Sequence, residues 1–146
     1  MWRTLCVLCM LAQAGFAPPT VAPGDAVRIA GRDLTVETSA ASGSIRSLGS
    51  VRSGMTLTPP SGVGDGFRLI LRDRHGSLRT ILAGSQSSPR WQNDGNRAIA
   101  AWNGPLRDEG GGVHPIGVRV SYAVVTPDPP DEEFRIQLYL DNHSDA

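Results

Sequence analysis

The 146-residue sequence has little of what several kinds of binding and chemistry require. It contains no lysine, so its 14 basic side chains are all arginine, and they balance 14 acidic ones. A neutral chain without a basic cluster is not expected to bind nucleic acid through its charge. No apolar run approaches the roughly 20 residues of a transmembrane helix, which argues against a membrane span. What the chain does contain, 17 glycines, 11 prolines and 40% hydrophobic residues, is typical of a folded domain rich in turns.

The N-terminal segment has the features of an export signal. Arg3 precedes an apolar run that ends in Ala12–Ala14, a small-x-small pattern recognised by signal peptidase. We therefore predict a signal peptide over residues 1–14, cleaved after Ala14, and a secreted or periplasmic location. Both cysteines, Cys6 and Cys9, would leave with it. The mature domain would then be held together by core packing without a disulfide.

Beyond a proline-rich linker at 15–24, the sequence is typical of short β-strands. Apolar and polar residues alternate with a period of two, in segments separated by glycine and proline turns. These segments are Val27–Ile29, Leu34–Thr38, Ile45–Val51, Met55–Leu57, Phe67–Leu71, Leu78–Leu82, Ala98–Trp102, Val118–Val124 and Phe134–Leu140. Thr126–Glu133 is expected to form a loop, and no segment has the periodicity of a long helix. We predict an all-β fold, an antiparallel β-sandwich over residues 25–146.

The polar clusters of the sequence match no catalytic or metal-binding pattern. The glycines of Gly62–Gly66 precede a strand instead of the helix that a phosphate cradle needs, and the acids of Asp128–Glu133 lack EF-hand spacing. The histidines, His75, His114 and His143, do not form a zinc-binding pair. No cofactor or metal is predicted, and the catalytic residues stay unknown. One open alternative is a sugar epimerase or hydrolase in which one histidine works with a nearby carboxylate.

Aromatic side chains are the clearest candidates for a ligand contact. The C–H faces of sugars are apolar and aromatic faces carry negative charge density, so exposed rings can stack on sugars. We select Trp91, Tyr139 and Trp102 as candidate carbohydrate contacts. Trp91 lies among polar neighbours, and Tyr139 is out of phase with the apolar row around it, so these two are expected to be exposed.

Several turns and strands are similar to those of a known family. Asp33-Leu34-Thr35-Val36 followed by Ser42-Gly43-Ser44-Ile45-Arg46-Ser47-Leu48 resembles the opening of galactose-mutarotase-like β-supersandwich domains, and Phe67–Leu71 and Phe134–Asp145 fit the same plan. In many bacterial exported proteins such a domain precedes a glycoside hydrolase catalytic domain. The resemblance implies a non-catalytic module associated with a polysaccharide or oligosaccharide, and no catalytic residue of the family has a matching position. It also implies that 25–146 is an incomplete domain, because family members continue into a second half.

The last strand suggests a further property. A strand as apolar as Phe134–Leu140 needs a partner on each side, or it becomes an exposed edge prone to pairing with other chains. We therefore predict self-association through residues 134–140. A third hypothesis, a structural or adhesive module without a ligand, stays open beside the carbohydrate and enzyme hypotheses.

Overall fold

A computed structural model describes residues 25–59 and 65–143. The predicted signal peptide and linker, as well as Gly62 and Gly64, lie outside the described residues. Within these residues the chain is all-β, as predicted, with one short 3-10 turn at Ala83–Ser85. The strands are β1 (Ala26–Ala30), β2 (Leu34–Ser39), β3 (Ile45–Ser50), β4 (Thr56–Leu57), β5 (Arg68–Arg72), β6 (Leu78–Leu82), β7 (Arg90–Asn93), β8 (Arg97–Trp102), β9 (Leu106–Arg107), β10 (Val113–His114), β11 (Ile116–Asp128) and β12 (Asp131–Asn142).

The strands form two four-stranded antiparallel sheets and two short ribbons. One sheet has the order β1-β2-β3-β4, and the other has the order β12-β11-β8-β7. Strand β1 contacts both β8 and β11, so the two sheets pack face to face. The pairs β5-β6 and β9-β10 are the ribbons. None of the described segments is a helix that could cross a lipid bilayer.

Period-two alternation places the core between these sheets. Along β11, the apolar row predicted from the sequence, Val118, Val120, Tyr122 and Val124, is almost completely buried. The facing strand β1 contributes Val27 and Ile29 to the same core cluster. Alternate residues of these strands, such as Arg28 and Arg119, point away from the core because successive side chains of a strand point to opposite faces.

Polar contacts join distant parts of the sandwich. The Glu132 carboxylate accepts backbone N–H bonds from Arg32, Asp33 and Leu34 at 2.6, 2.7 and 2.8 Å. It thereby attaches the start of β12 to the turn between β1 and β2. Within the core, the Tyr122 hydroxyl donates to the carbonyl oxygen of Gly43 over 2.7 Å.

The prediction of a loop over Thr126–Glu133 is wrong. Strands β11 and β12 form one long hairpin whose pairing extends to Asp128 opposite Asp131, with an irregularity after Val125. Only the two prolines at 129 and 130 connect the strands. The proline and acidic side chains of this segment suggested a loop. Backbone hydrogen bonds between β11 and β12 can continue there without apolar side chains because the hairpin tip is exposed. The sequence analysis also missed the short strands β7, β9 and β10.

Candidate functional site

The outer face of the sheet β12-β11-β8-β7 carries a row of side chains that crosses all four strands. Pairing places Arg90 of β7 opposite Ala101 of β8, Ala101 opposite Arg119 of β11, and Arg119 opposite Tyr139 of β12. Directly paired residues point to the same face of a sheet. Because the alternate residues of β11 point into the core, this row faces away from it. Three spacings between strands give the row a width of about 14 Å.

Tyr139 is the most exposed aromatic side chain of the described residues, with 42% of its surface accessible. Its exposure follows the prediction from the phase of the sequence. The hydroxyl donates to Oε1 of Gln137 at 3.1 Å, and the guanidinium carbon of Arg119 lies 5.6 Å from the ring centroid. Arg119 also forms a two-point ion pair with Asp141, at 3.0 and 3.2 Å. These contacts hold a ring of which a large part stays accessible to solvent.

A depression lies on the side of Arg119 away from Tyr139. Its volume is about 300 Å³, and it is lined by Arg90, Gln92, Ile99, Ala101, Asn103 and Arg119. The small side chain of Ala101 leaves room in the row between the two arginines. Guanidinium and amide groups around it can donate and accept hydrogen bonds from several directions, which suits a ligand rich in hydroxyl groups.

A larger depression, about 430 Å³, lies on the sheet formed by β1 to β4. It is lined by Arg28, Thr35, Glu37, Ser47, Gly49, Ser50, Val51, Gly54, Met55 and Thr56. None of these side chains is aromatic, so this surface has no platform on which a sugar ring could stack. The face around Tyr139 is therefore the better candidate despite its smaller depression.

The expectation that Trp91 is exposed is wrong, because its side chain is buried with 6% of its surface accessible. Its indole N–H donates to the carbonyl oxygen of Ala40 over 2.8 Å, and its ring stacks with Tyr122 at a centroid distance of 5.9 Å. The polar residues Arg90 and Gln92 that flank it belong to the opposite face of β7. Residues 90–93 contain only one apolar side chain, so the sequence has no period-two signal that could have identified this strand.

Trp102 is also a core residue, with 3% of its surface accessible. Its ring meets Phe67 edge to face, with the centroids 4.9 Å apart. Of the three aromatic residues selected from the sequence, Tyr139 alone lies on the outer face of the sheet. The sequence analysis did not identify Arg119 as its neighbour, because the two residues are joined only by the pairing of β11 with β12.

The structure brings one of the three histidines next to a carboxylate. His114 Nε2 lies 3.0 Å from Oδ2 of Asp108, whose side chain is only 3% accessible. The hydrogen bond with His114 lowers the pKa of the Asp108 carboxyl, and the Gly112 amide, which donates over 2.7 Å, lowers it further. His75 lies instead in the exposed turn between β5 and β6. In residues 25–59 and 65–143, no three histidine, cysteine or acidic side chains are placed to hold a metal ion.

Comparison with protein-family models, curated proteins and solved structures gives no match.

Proposed function

We propose that this chain is a non-catalytic carbohydrate-binding β-sandwich module of an exported protein related to glycoside hydrolases. The glycan would lie on the outer face of the sheet β12-β11-β8-β7, with Tyr139 as its platform. The observation that carries the proposal is the position of this exposed tyrosine, at the end of a polar row that crosses the sheet.

The composition of the row supports a sugar ligand. A pyranose ring can place its apolar C–H face on the exposed ring of Tyr139, while its hydroxyl groups hydrogen-bond to nearby polar side chains. Arg119 and Asp141 are held together at the same end of the row, and the depression beside Arg119 continues the polar surface toward β7. A row about 14 Å wide favours an oligosaccharide or polysaccharide chain over a single sugar.

Two parts of the proposal rest on the sequence alone. Export rests on the signal pattern of residues 1–14, and the link to glycoside hydrolases rests on the resemblance to galactose-mutarotase-like domains. The all-β sandwich is compatible with that resemblance, but many unrelated functions use sandwiches, so the fold adds little to the functional argument.

The test is affinity electrophoresis of the purified chain through gels that contain neutral or acidic polysaccharides. We expect at least one glycan to retard the chain, and we expect Tyr139→Ala to weaken the retardation about tenfold because the stacking surface is lost. Tyr139→Phe keeps the ring and should retain most of the binding. Ile70→Ala, which changes an exposed apolar side chain of the β5-β6 ribbon, is the matched control.

Two results would contradict the proposal. One is the absence of retardation by every glycan in the panel, which would favour a ligand-free structural or adhesive module. The other is glycan binding that Tyr139→Ala leaves unchanged, because that result would place the binding surface elsewhere on the molecule.

The contact between His114 and Asp108 favours a second candidate, an epimerase or hydrolase. A histidine oriented by a buried carboxylate can accept and return a proton during a reaction. For this candidate we expect sugar turnover by the chain that His114→Ala abolishes and that His75→Ala leaves unchanged. Equal turnover by the two variants would reject the assignment of His114 as the base.

A further inference from the structure

Strand β12 leaves an apolar row exposed at the edge of the sheet β12-β11-β8-β7. It pairs with β11 on one side, and no strand in the described part of the chain pairs with its other side. Ile136, Leu138 and Leu140 are 51%, 44% and 57% accessible. They lie opposite Tyr122, Val120 and Val118, which are buried, so they share the inward face of the sheet but extend beyond the opposing layer.

An exposed apolar edge of this kind is a template for the addition of a strand. The charged side chains of β12 determine which strand can be added. On the outward face of β12, Glu133, Arg135 and Asp141 are charged and solvent-accessible, and they constrain the sequence that can pair there. Like charges placed directly opposite each other destabilise a sheet, while opposite charges stabilise it.

A second copy of β12 satisfies these constraints in one antiparallel register. If a two-fold axis passes through Leu138, residues whose numbers are equally far from 138 lie opposite each other in the two copies. Arg135 of each copy then lies opposite Asp141 of the other, and Glu133 lies opposite His143. On the inward face, Ile136 lies opposite Leu140 and Leu138 lies opposite its own copy.

The neighbouring registers have less favourable pairs of charged residues across the interface. With the two-fold axis at residue 137, Glu133 of each copy lies opposite Asp141 of the other. Symmetry therefore produces two contacts between like charges. With the axis at Tyr139, Arg135 lies opposite His143 and loses its acidic partner. Only an axis located on a residue keeps the apolar side chains of both copies on one face, because side chains alternate along each strand.

We propose that the chain forms a symmetric dimer through antiparallel pairing of β12 with β12 of a second copy, in the register centred on Leu138. The dimer extends the sheet β12-β11-β8-β7 into a continuous eight-stranded sheet. It places the apolar rows of the two copies side by side on one face, where cross-strand contacts bury part of each, and it joins the two outer faces. This proposal does not require a carbohydrate ligand.

Sedimentation equilibrium over a dilution series of the full chain tests the dimer, and charge reversal tests its register. Arg135→Asp places two carboxylates opposite each other at both symmetry-related contacts, and Asp141→Arg places two guanidinium groups opposite each other there. Each variant alone should weaken dimerisation by about tenfold or more because like charges oppose each other. An equal mixture of the two variants should recover a heterodimer, because a carboxylate then lies opposite a guanidinium group at both contacts.

Arg135→Asp removes the ion pair with Glu133 of the same chain, and Asp141→Arg removes the one with Arg119. Both pairs are exposed, so the fold should persist. Circular dichroism of each variant checks that it does. Arg74→Asp, in the exposed turn between β5 and β6, is a charge-reversal control that should not alter dimerisation. A monomeric wild-type chain, open-ended aggregation, or a mixture no more dimeric than its components would overturn the proposal.

Discussion

At the scale of single residues, Glu132 shows how one side chain can join two distant parts of the fold. One carboxylate satisfies three successive backbone N–H groups in the turn between β1 and β2. Their hydrogen bonds, those from Leu34 and Asp33 first, lower the pKa of Glu132 below its usual value of 4.5. A carboxylate that accepts several backbone hydrogen bonds resists protonation because protonation removes acceptor capacity.

The lowered pKa of Glu132 predicts how stability depends on pH. The unfolded chain binds this proton more readily than the folded chain, so the carboxylate stabilises the fold above pH 4.5. That stabilisation is lost as the pH falls toward and through the lowered pKa. We expect Glu132→Gln to reduce the melting temperature at neutral pH and to flatten its decline below pH 4.5. Thermal melts of both proteins across this range provide the measurement, and parallel curves would contradict it.

At the scale of elements, the turn between β2 and β3 depends on a glycine at its centre. Gly43 has a φ of +70°, and its carbonyl oxygen accepts the hydrogen bond from the buried Tyr122 hydroxyl. A Cβ at this position would lie 2.7 Å from that hydroxyl oxygen and 3.0 Å from the Trp102 ring. The glycine therefore allows the turn to approach β8 and β11 closely.

We expect Gly43→Ala to cost more free energy of unfolding than Gly54→Ala, which is its matched control. Gly54 has a similar φ of +65°, but no atom lies within 4 Å of its would-be Cβ. The left-handed backbone alone should cost each variant about 1 kcal/mol. Overpacking against two buried rings should add about 1–3 kcal/mol to Gly43→Ala. Urea denaturation measures both values, and equal losses would show that the crowding relaxes without cost.

The elements also show what could be predicted from the sequence. Strand β11 was predictable because its apolar residues alternate without interruption, and the hairpin of β5 and β6 was predictable from its turn residues. Strand β7 was not, because its single large apolar residue, Trp91, lies between polar neighbours that look like a loop. The tip of the hairpin of β11 and β12 was wrongly predicted as a loop because its side chains are polar or proline. Its backbone nevertheless continues the strand pairing.

At the scale of the whole molecule, the all-β sandwich could be predicted from periodicity, but the arrangement of its strands could not. Local alternation does not determine which strands become neighbours, and the candidate site depends on that arrangement. The exposure of Tyr139 was predictable from its phase in β12. Its position beside Arg119 and the depression depends on pairing between β12, β11, β8 and β7, which brings together distant residues.

The attachment of Glu132 to the first hairpin has a consequence for the rate of folding. The bonded residues are separated by 98 to 100 positions in the chain, so this contact closes a very long loop. Chains dominated by such distant contacts have high contact order and commonly fold in milliseconds to seconds. The turn between β1 and β2 can acquire its carboxylate only after the final hairpin has docked. The hydrogen bonds of this turn are therefore completed late in folding, although the β1-β2 hairpin itself pairs locally.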